Sequence, residues 1–339
     1  MTKIKIGIIG SAGYTGGELL RILINHPHAD IVFTHSESNA GNKVSDVHTD
    51  LFGDTDLRFS ETYHSDIEVL FLCVGHGDAR KFLDVNTFDP HVKIIDLSQD
   101  YRLRANTAYR DGKFIYGLPE LNRDFIRSAH YVANPGCFAT GIQLALLPLA
   151  AEGLLQNPVH VNATTGSTGA GQKPSATSHF SWRNNNLSIY KAFEHQHLQE
   201  ISESLNQLQP GFLPDGDGTL LQRAMERIHI VPQRGNFPRG ILSAIYLDSP
   251  LGEEEAYALY ESYYDTHPFT HVSKTNIDLK QVVNTNKCIL HLEKHGDKLF
   301  IISIVDNLLK GASGQAVQNM NLLAGLDETT GLKLKSVGF

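Results

Sequence analysis

Cysteine is scarce in this chain: Cys73, Cys137 and Cys288 are the only three in 339 residues, odd in number and far apart. No disulfide framework is expected from such a set, and a reducing compartment, the cytoplasm, fits it. Long apolar runs are missing as well. None approaches the roughly 18 residues that a membrane-crossing helix needs, and the chain enters a strand-like segment at Lys3, so neither a signal peptide nor an anchor is expected. Basic clusters are also absent, and the formal net charge is -8, which argues against a nucleic-acid-binding surface. Any anionic ligand must be held by a few local basic groups. There is no internal repeat and no low-complexity tract. What remains is an ordinary globular composition in a chain long enough for two cores.

The order of apolar runs and breakers suggests where those cores lie. Residues 3–9 read as a short, almost wholly apolar strand, followed by the turn Gly10-Ser11-Ala12-Gly13-Tyr14-Thr15-Gly16-Gly17 and a helical run over 18–25. Further short apolar runs at 31–34, 69–74 and 92–97 have the unalternating character of parallel strands covered on both faces. They predict a doubly wound, Rossmann-type α/β domain. Beyond residue 137 the pattern changes. Strands are expected at 159–163, 227–231, 240–247, 287–293 and 299–305, the last two joined by the hairpin signal His295-Gly296-Asp297. These predict an α+β domain on a largely antiparallel sheet, with helices over 194–208 and 253–264. A final apolar helix over 312–324 should return to the first domain, giving a division into residues 1–136 plus 312–339 and residues 137–311.

The glycine turn has its glycines three apart instead of the usual G-x-G-x-x-G, but it stands between the first strand and the first helix. There, backbone N–H groups and the helix dipole meet a pyrophosphate. Gly10, Ser11, Ala12, Gly13, Tyr14, Thr15 and Gly16 are therefore candidate dinucleotide contacts. The second strand ends Thr34-His35-Ser36-Glu37-Ser38. Ser36, Ser38 and Lys43 could serve a 2'-phosphate and favour NADP, while Glu37 could equally serve a ribose hydroxyl.

Chemistry points to Cys137, in Asn134-Pro135-Gly136-Cys137-Phe138. Pro135-Gly136 breaks the chain, an apolar helix follows, and a thiol at a helix N-terminus is poised for ionisation beside N–H groups that can hold an oxyanion. In Glu194-His195-Gln196-His197-Leu198-Gln199-Glu200, His197 and Glu200 share a helical face, so the carboxylate can orient the imidazole. A metal held by His195 and His197 lacks a third ligand at an evident spacing, so no metal is expected. An acid/base partner for Cys137 is the sharper expectation, with the choice between His195 and His197 open. Ser98 and Arg102 follow a predicted parallel strand, at the edge where α/β sheets bind ligands, and Arg102 could hold a phosphate or carboxylate. The tract Gly166 to Lys173 imitates a phosphate loop without its helix, and is expected to be a flexible substrate loop. Cys73 and Cys288 fall within strands and read as packing residues.

Together these segments resemble the N-acetyl-gamma-glutamyl-phosphate reductases, which belong with the aspartate-semialdehyde dehydrogenases. The resemblance covers nearly the whole chain and is most specific over residues 132–148, with further similar segments at 10–17, 96–102, 116–121 and 306–316. It implies NADPH-dependent reduction of an acyl phosphate, a small molecule, to a semialdehyde in arginine biosynthesis. Cys137 would be the nucleophile and the His195/His197 pair would supply the acid/base residue. The segment at 306–316, with Asn307, would reach back to the nicotinamide; Asn134, Gly169 and Lys173 would border the substrate. A homo-oligomer, a tetramer, is implied. Residues 1–136 plus 312–339 would bind NADP and residues 137–311 would carry catalysis and oligomerisation. Gly75-His76, Gln199 and Gln172-Lys173 depart from the family's usual residues, and the stretch 175–187 is unfamiliar. Lys173 or Arg183 could thus meet a carboxylate on a larger acyl group such as succinyl. The chain could instead be an aspartate-semialdehyde dehydrogenase or a non-catalytic NADP sensor.

Overall fold

The computed structural model describes residues 3–338, which form two compact units. One comprises the chain up to Pro135 with Ala312–Leu334, and the other Gly136–Gly311 with the segment from Lys335.

The first unit runs β1 (Ile4–Ile9), α1 (Tyr14–Leu23), β2 (Ala29–His35), α2 (Val44–Val47), β3 (Phe59–Ser60), β4 (Val69–Leu72), α3 (Asp78–Val85), β5 (Lys93–Asp96), β6 (Ala108–Tyr109), β7 (Gly112–Tyr116), α4 (Pro119–Arg127) and β8 (Tyr131–Ala133). Its eight-stranded sheet has the order β3-β2-β1-β4-β5-β8-β7-β6, parallel throughout except for β6 against β7. Every residue of β4 is buried, as a strand covered on both faces requires. The chain order reverses at β1, which has β2 on one side and β4 on the other. Register brings Ile9 level with His35 and Leu72, Leu72 with Asp96, and Asp96 with Ala133. The connections that begin at Gly10, Ser36, Cys73, Leu97 and Asn134 therefore leave from one edge, where open α/β sheets bind ligands.

The first helix begins earlier than the glycines suggest. Gly17 N–H already donates to Gly13 at 2.9 Å, so α1 opens at Tyr14 and not at residue 18. Glycine is poor in a helix on propensity alone. Here close packing overrides that: a Cβ on Gly16 would lie 2.5 Å from Ser11 Cα, and one on Gly17 would lie 2.6 Å from the His48 ring. The last helix, Ser313–Leu323, packs against α1 and α4.

The second unit continues with α5 (Cys137–Ala151), β9 (Val159–Thr165), α6 (Phe180–Arg183), β10 (Ser188–Ile189), α7 (His197–Leu208), α8 (Leu220–Arg227), β11 (Ile228–Arg234), β12 (Ile241–Asp248), α9 (Glu253–Tyr264), β13 (Thr270–Ser273), β14 (Cys288–His295) and β15 (Lys298–Val305). Its sheet, β10-β11-β9-β12-β15-β14-β13, is mixed: β11 with β9 and β13 with β14 are parallel pairs among antiparallel ones. The expected hairpin is present, with His295 opposite Lys298 and Gly296 at φ 59°. The helix expected from residue 194 starts at His197. Phe193 N–H donates to Ile230 at 2.8 Å, and Lys191 and Phe193 take left-handed φ values of 45° and 63°, which keeps the preceding segment out of the helix.

Helix α5 organises this unit. Every residue from Phe138 to Ala150 is buried, because the helix lies between the sheet and the helices α7 and α9. Pro148 sits inside it and has no N–H to give the carbonyl of Leu144. The Tyr264 hydroxyl donates to that carbonyl instead, and Tyr260 does the same for Ala145 at 2.5 Å. No helix among the described residues is long and apolar enough to cross a membrane. Since Tyr264 replaces a missing backbone donor, Tyr264→Phe should cost about 1–3 kcal/mol, the penalty for an unsatisfied buried carbonyl. Chemical denaturation of the variant beside the native protein measures the loss.

Candidate active site

In the second unit, Cys137 is a half-buried cysteine in no disulfide and the first residue of α5, with Gly136 as the extended cap residue. Thr140 N–H and hydroxyl both turn back to the Gly136 carbonyl, at 2.8 and 3.0 Å, and fix the first turn. The Gly136 N–H is held by Glu200 Oε2 at 3.0 Å, while Glu200 Oε1 lies 3.7 Å from His197 Nε2. A Cβ on Gly136 would stand 2.4 Å from His197 Nε2 and 2.7 Å from Glu200 Oε1. Only glycine lets the histidine and the carboxylate close over the helix start. On another side is Gly311, whose added Cβ would be 2.9 Å from Cys137 Cβ.

His195 and His197 are both buried, with ring centroids 4.6 Å apart, and Phe138 meets both edge-on. Their surroundings separate them. Burial pushes the His195 pKa down to about 3, reinforced by the charges of His197 and Lys191. Its Nδ1 accepts the His197 backbone N–H at 3.3 Å, which places the ring proton on Nε2. His195 is thus a neutral ring with its basic nitrogen occupied, whereas His197 faces a carboxylate.

The dinucleotide candidates line the sheet edge of the first unit. Gly10 has φ 77°, and a Cβ there would meet the Cys73 carbonyl at 2.5 Å, so this turn requires glycine. The main-chain N–H groups of Gly10 and Ser11 donate to the His35 carbonyl, and the buried Ser11 hydroxyl does so at 2.9 Å. Ala12 and Gly13 lead to Tyr14, Thr15 and Gly16 in the first turn of α1. His48, which the sequence did not single out, donates from Nε2 to the Ser11 carbonyl at 2.9 Å. Burial lowers its pKa, consistent with a neutral ring donor. Ser36 and Ser38 follow β2, both bonded by Asn39 Nδ2, and half-buried Lys43 pairs with Asp56 at 3.2 Å.

Other candidates are braced within their own units. Asn134 Nδ2 donates to Ala312 at 3.0 Å and its Oδ1 accepts from Asn319 at 3.0 Å. Arg102 is buried and donates to the carbonyls of Asn134 (2.8 Å) and Leu97 (2.9 Å). Ser98 caps the buried Asp96 carboxylate through N–H and hydroxyl, at 2.9 and 2.8 Å. In the second unit, Asn307 accepts from Gly240 N–H (2.7 Å) and donates to Thr168 (3.0 Å). Gly169 lies in the exposed turn Ser167–Ala170, and Lys173 is exposed. Arg183 corrects an expectation. All five of its N–H groups are engaged, two on Thr177 O and the others on Asn186 O, Arg234 O and Ser188 Oγ. It builds the 175–187 segment and has no donor left for a substrate carboxylate.

Comparison with known proteins identifies the arrangement. Residues 5–129 match the model for the NAD binding domain of semialdehyde dehydrogenases, and residues 137–307 match their dimerisation domain. N-acetyl-gamma-glutamyl-phosphate reductases from Azobacteroides pseudotrichonymphae and Bacteroides thetaiotaomicron are each 58% identical over 337 residues, covering 99% of this chain and 100% of theirs. That of Flavobacterium johnsoniae is 55% identical over 336 residues, with 99% and 100% coverage. The chain belongs to the semialdehyde dehydrogenase family, among the N-acetyl-gamma-glutamyl-phosphate reductases. The fold agrees: aspartate semialdehyde dehydrogenase II from Vibrio cholerae superposes with a TM-score of 0.71 at 15% identity, over 96% of this chain and 99% of that one. The Candida albicans aspartate semialdehyde dehydrogenase, solved with NADP, gives 0.63 at 13% identity, over 95% and 99%.

A depressed folded-state pKa makes His195 stabilising above its unfolded value of about 6.5, and that contribution is lost as pH falls toward about 3. Melting midpoints should therefore decline from about pH 6.5 downward, and His195→Gln should flatten this acid limb. Thermal melts of both proteins across that window check it; superimposable acid limbs would refute the assignment.

Proposed function

We propose that this chain reduces N-acetyl-γ-glutamyl phosphate with NADPH to N-acetylglutamate 5-semialdehyde and phosphate, a step of arginine biosynthesis, as a cytoplasmic homo-oligomer. The observation that carries the chemistry is Cys137 at the start of α5, with the Glu200–His197 pair packed on Gly136. The substrate follows the names of relatives at 58% identity; the aspartate semialdehyde dehydrogenases share the fold at 15%. A regulatory sensor would have no use for a nucleophile, a base and its carboxylate in one cluster. The dimerisation-domain match supports self-association, and a tetramer is the assembly proposed.

The first unit suits a dinucleotide. Gly10 and the α1 N-terminus form a cradle that a side chain would fill, and Ser36, Ser38 and Lys43 at the end of β2 suit a 2'-phosphate, provided Lys43 exchanges Asp56 for it. NADPH, when bound, supplies the hydride. The division of labour proposed is the nucleotide in the first unit and the covalent chemistry in the second.

His197, oriented by Glu200, takes the Cys137 proton. The thiolate attacks the acyl carbon, the C–O bond to phosphate breaks, and a thioester forms on Cys137. Hydride addition to the thioester carbonyl leaves an oxyanion, which N–H groups at the α5 terminus near Cys137 are proposed to hold. Collapse expels the thiolate, which His197 reprotonates. Arg102 is proposed to meet the phosphate, sharing a donor now bonded to a backbone carbonyl. Lys173 remains the candidate for a carboxylate on a larger acyl group.

In the reverse direction, oxidation of N-acetylglutamate semialdehyde by NADP should require phosphate, and Cys137→Ser should lose at least about 10³-fold in kcat, since a serine alkoxide is scarcely populated at neutral pH. Phosphate-independent turnover, or a serine variant near native rates, would overturn this mechanism. Gly136→Ala, by displacing His197 and Glu200, should lower kcat by about 10²-fold. Steady-state kinetics beside a thermal melt measures that effect.

A further inference from the structure

The arginines of the second unit have different fates. Arg183 has an acceptor for every donor, and Arg239 pairs with the buried Asp306 at 3.1 Å. Arg234 has neither arrangement. It is half-buried, it has no carboxylate partner among the described residues, and its Nε is shielded from solvent without an acceptor. Its guanidinium lies 4.6 Å from the centre of the Tyr190 ring. A cation withdrawn from water without an anion is costly, and an aromatic face offsets only part of that cost.

Its place in the fold explains why such a cost would persist. Arg234 is the last residue of β11, level with Thr165 on β9, which is level with Ile241 on β12, and Ile241 is level with Val305 on β15. From this end of the sheet leave the turn Ser167–Ala170 and the segment that carries Gly311 against Cys137. Tyr190 continues the chain of contacts: its ring meets His195 at 5.9 Å, and His195 meets Phe138, the neighbour of Cys137, at 5.3 Å. The Tyr190 phenol is pushed up to about 12 by burial and by the charge of Cys137, so it stays protonated. Lys191 and Phe193 hold this segment in the left-handed region, a strained conformation for residues other than glycine that gathers at functional sites.

We propose that Arg234, seated on Tyr190, receives an oxyanion group of the substrate, phosphoryl or carboxylate, beside Cys137. The inference rests on the reaction proposed above, and it names a specificity residue for it. An incoming anion would supply the charge partner that Arg234 lacks, and the planar guanidinium can bind either group in a bidentate manner.

Two measurements on Arg234→Gln and Arg234→Lys test it. The first needs no turnover: the rate of Cys137 alkylation by iodoacetate, an anion, relative to neutral iodoacetamide. That ratio should fall about fivefold or more in Arg234→Gln and recover in part in Arg234→Lys. The second is the reverse reaction, where Arg234→Gln should raise KM about tenfold for one anionic reactant while KM for NADP stays within about twofold. A rise confined to inorganic phosphate assigns the phosphoryl group, and one confined to the semialdehyde assigns a carboxylate. An unchanged alkylation ratio with both KM values unchanged would overturn the proposal, as would a uniform rise in all three KM values with a lowered melting midpoint. If the wild type shows no turnover but the alkylation ratio still falls, the oxyanion site stands and the acyl-phosphate reaction fails.

Discussion

A single buried carboxylate holds the candidate site together. Glu200 takes the Gly136 N–H on one oxygen and faces His197 on the other, so the start of α5 and the proposed base are fixed by the same group. A carboxylate near the positive end of a helix is favourably placed, and this one also orients an imidazole. The geometry tolerates no side chain at Gly136, and Gly311 closes on Cys137 from another direction under the same restriction. Two glycines and a carboxylate thus define the space around one sulfur atom.

The position of that sulfur depends on α5 being immobile. A helix buried from Phe138 to Ala150 cannot shift without unpacking both the sheet and its covering helices. Burial brings its own demand, since carbonyls left without partners inside a core are costly. Tyr264 at Leu144, Tyr260 at Ala145, Ser303 at Gly141 (2.8 Å) and Gln143 reaching the Glu200 carbonyl (3.2 Å) meet that demand around the helix. The last of these returns the packing of α5 to the same glutamate that caps it.

Much of this was legible in the sequence because it is local. The short unalternating strands of the first unit, the glycine turn, the hairpin at Gly296 and the cysteine at a helix start all follow from neighbouring residues. What escaped notice was set by distant packing. The α1 start was masked because Gly16 and Gly17 read as helix breakers, whereas Ser11 and His48 press against them. The beginning of α7 depended on a bond from Phe193 to a strand far along the chain. Arg183 looked available to a substrate because spacing says nothing of the backbone carbonyls that a folded loop turns inward. Tyr190 and Arg234 carry no motif, and only the register of β9, β10 and β11 brings them to the site's end of the sheet.

The charge balance then acquires a structural meaning. A chain of net charge -8 handling a polyanionic substrate cannot rely on a broad basic surface. It must concentrate positive potential where water is scarce and each charge acts at low dielectric. The second unit does this with a helix terminus at Cys137 and a cation on Tyr190, while His195 is held neutral. A neutral His195 keeps the cluster from accumulating a further proton that the fold could not solvate. Positive potential thus resides in groups whose charge does not depend on pH near neutrality, and proton transfer is left to His197, which faces Glu200.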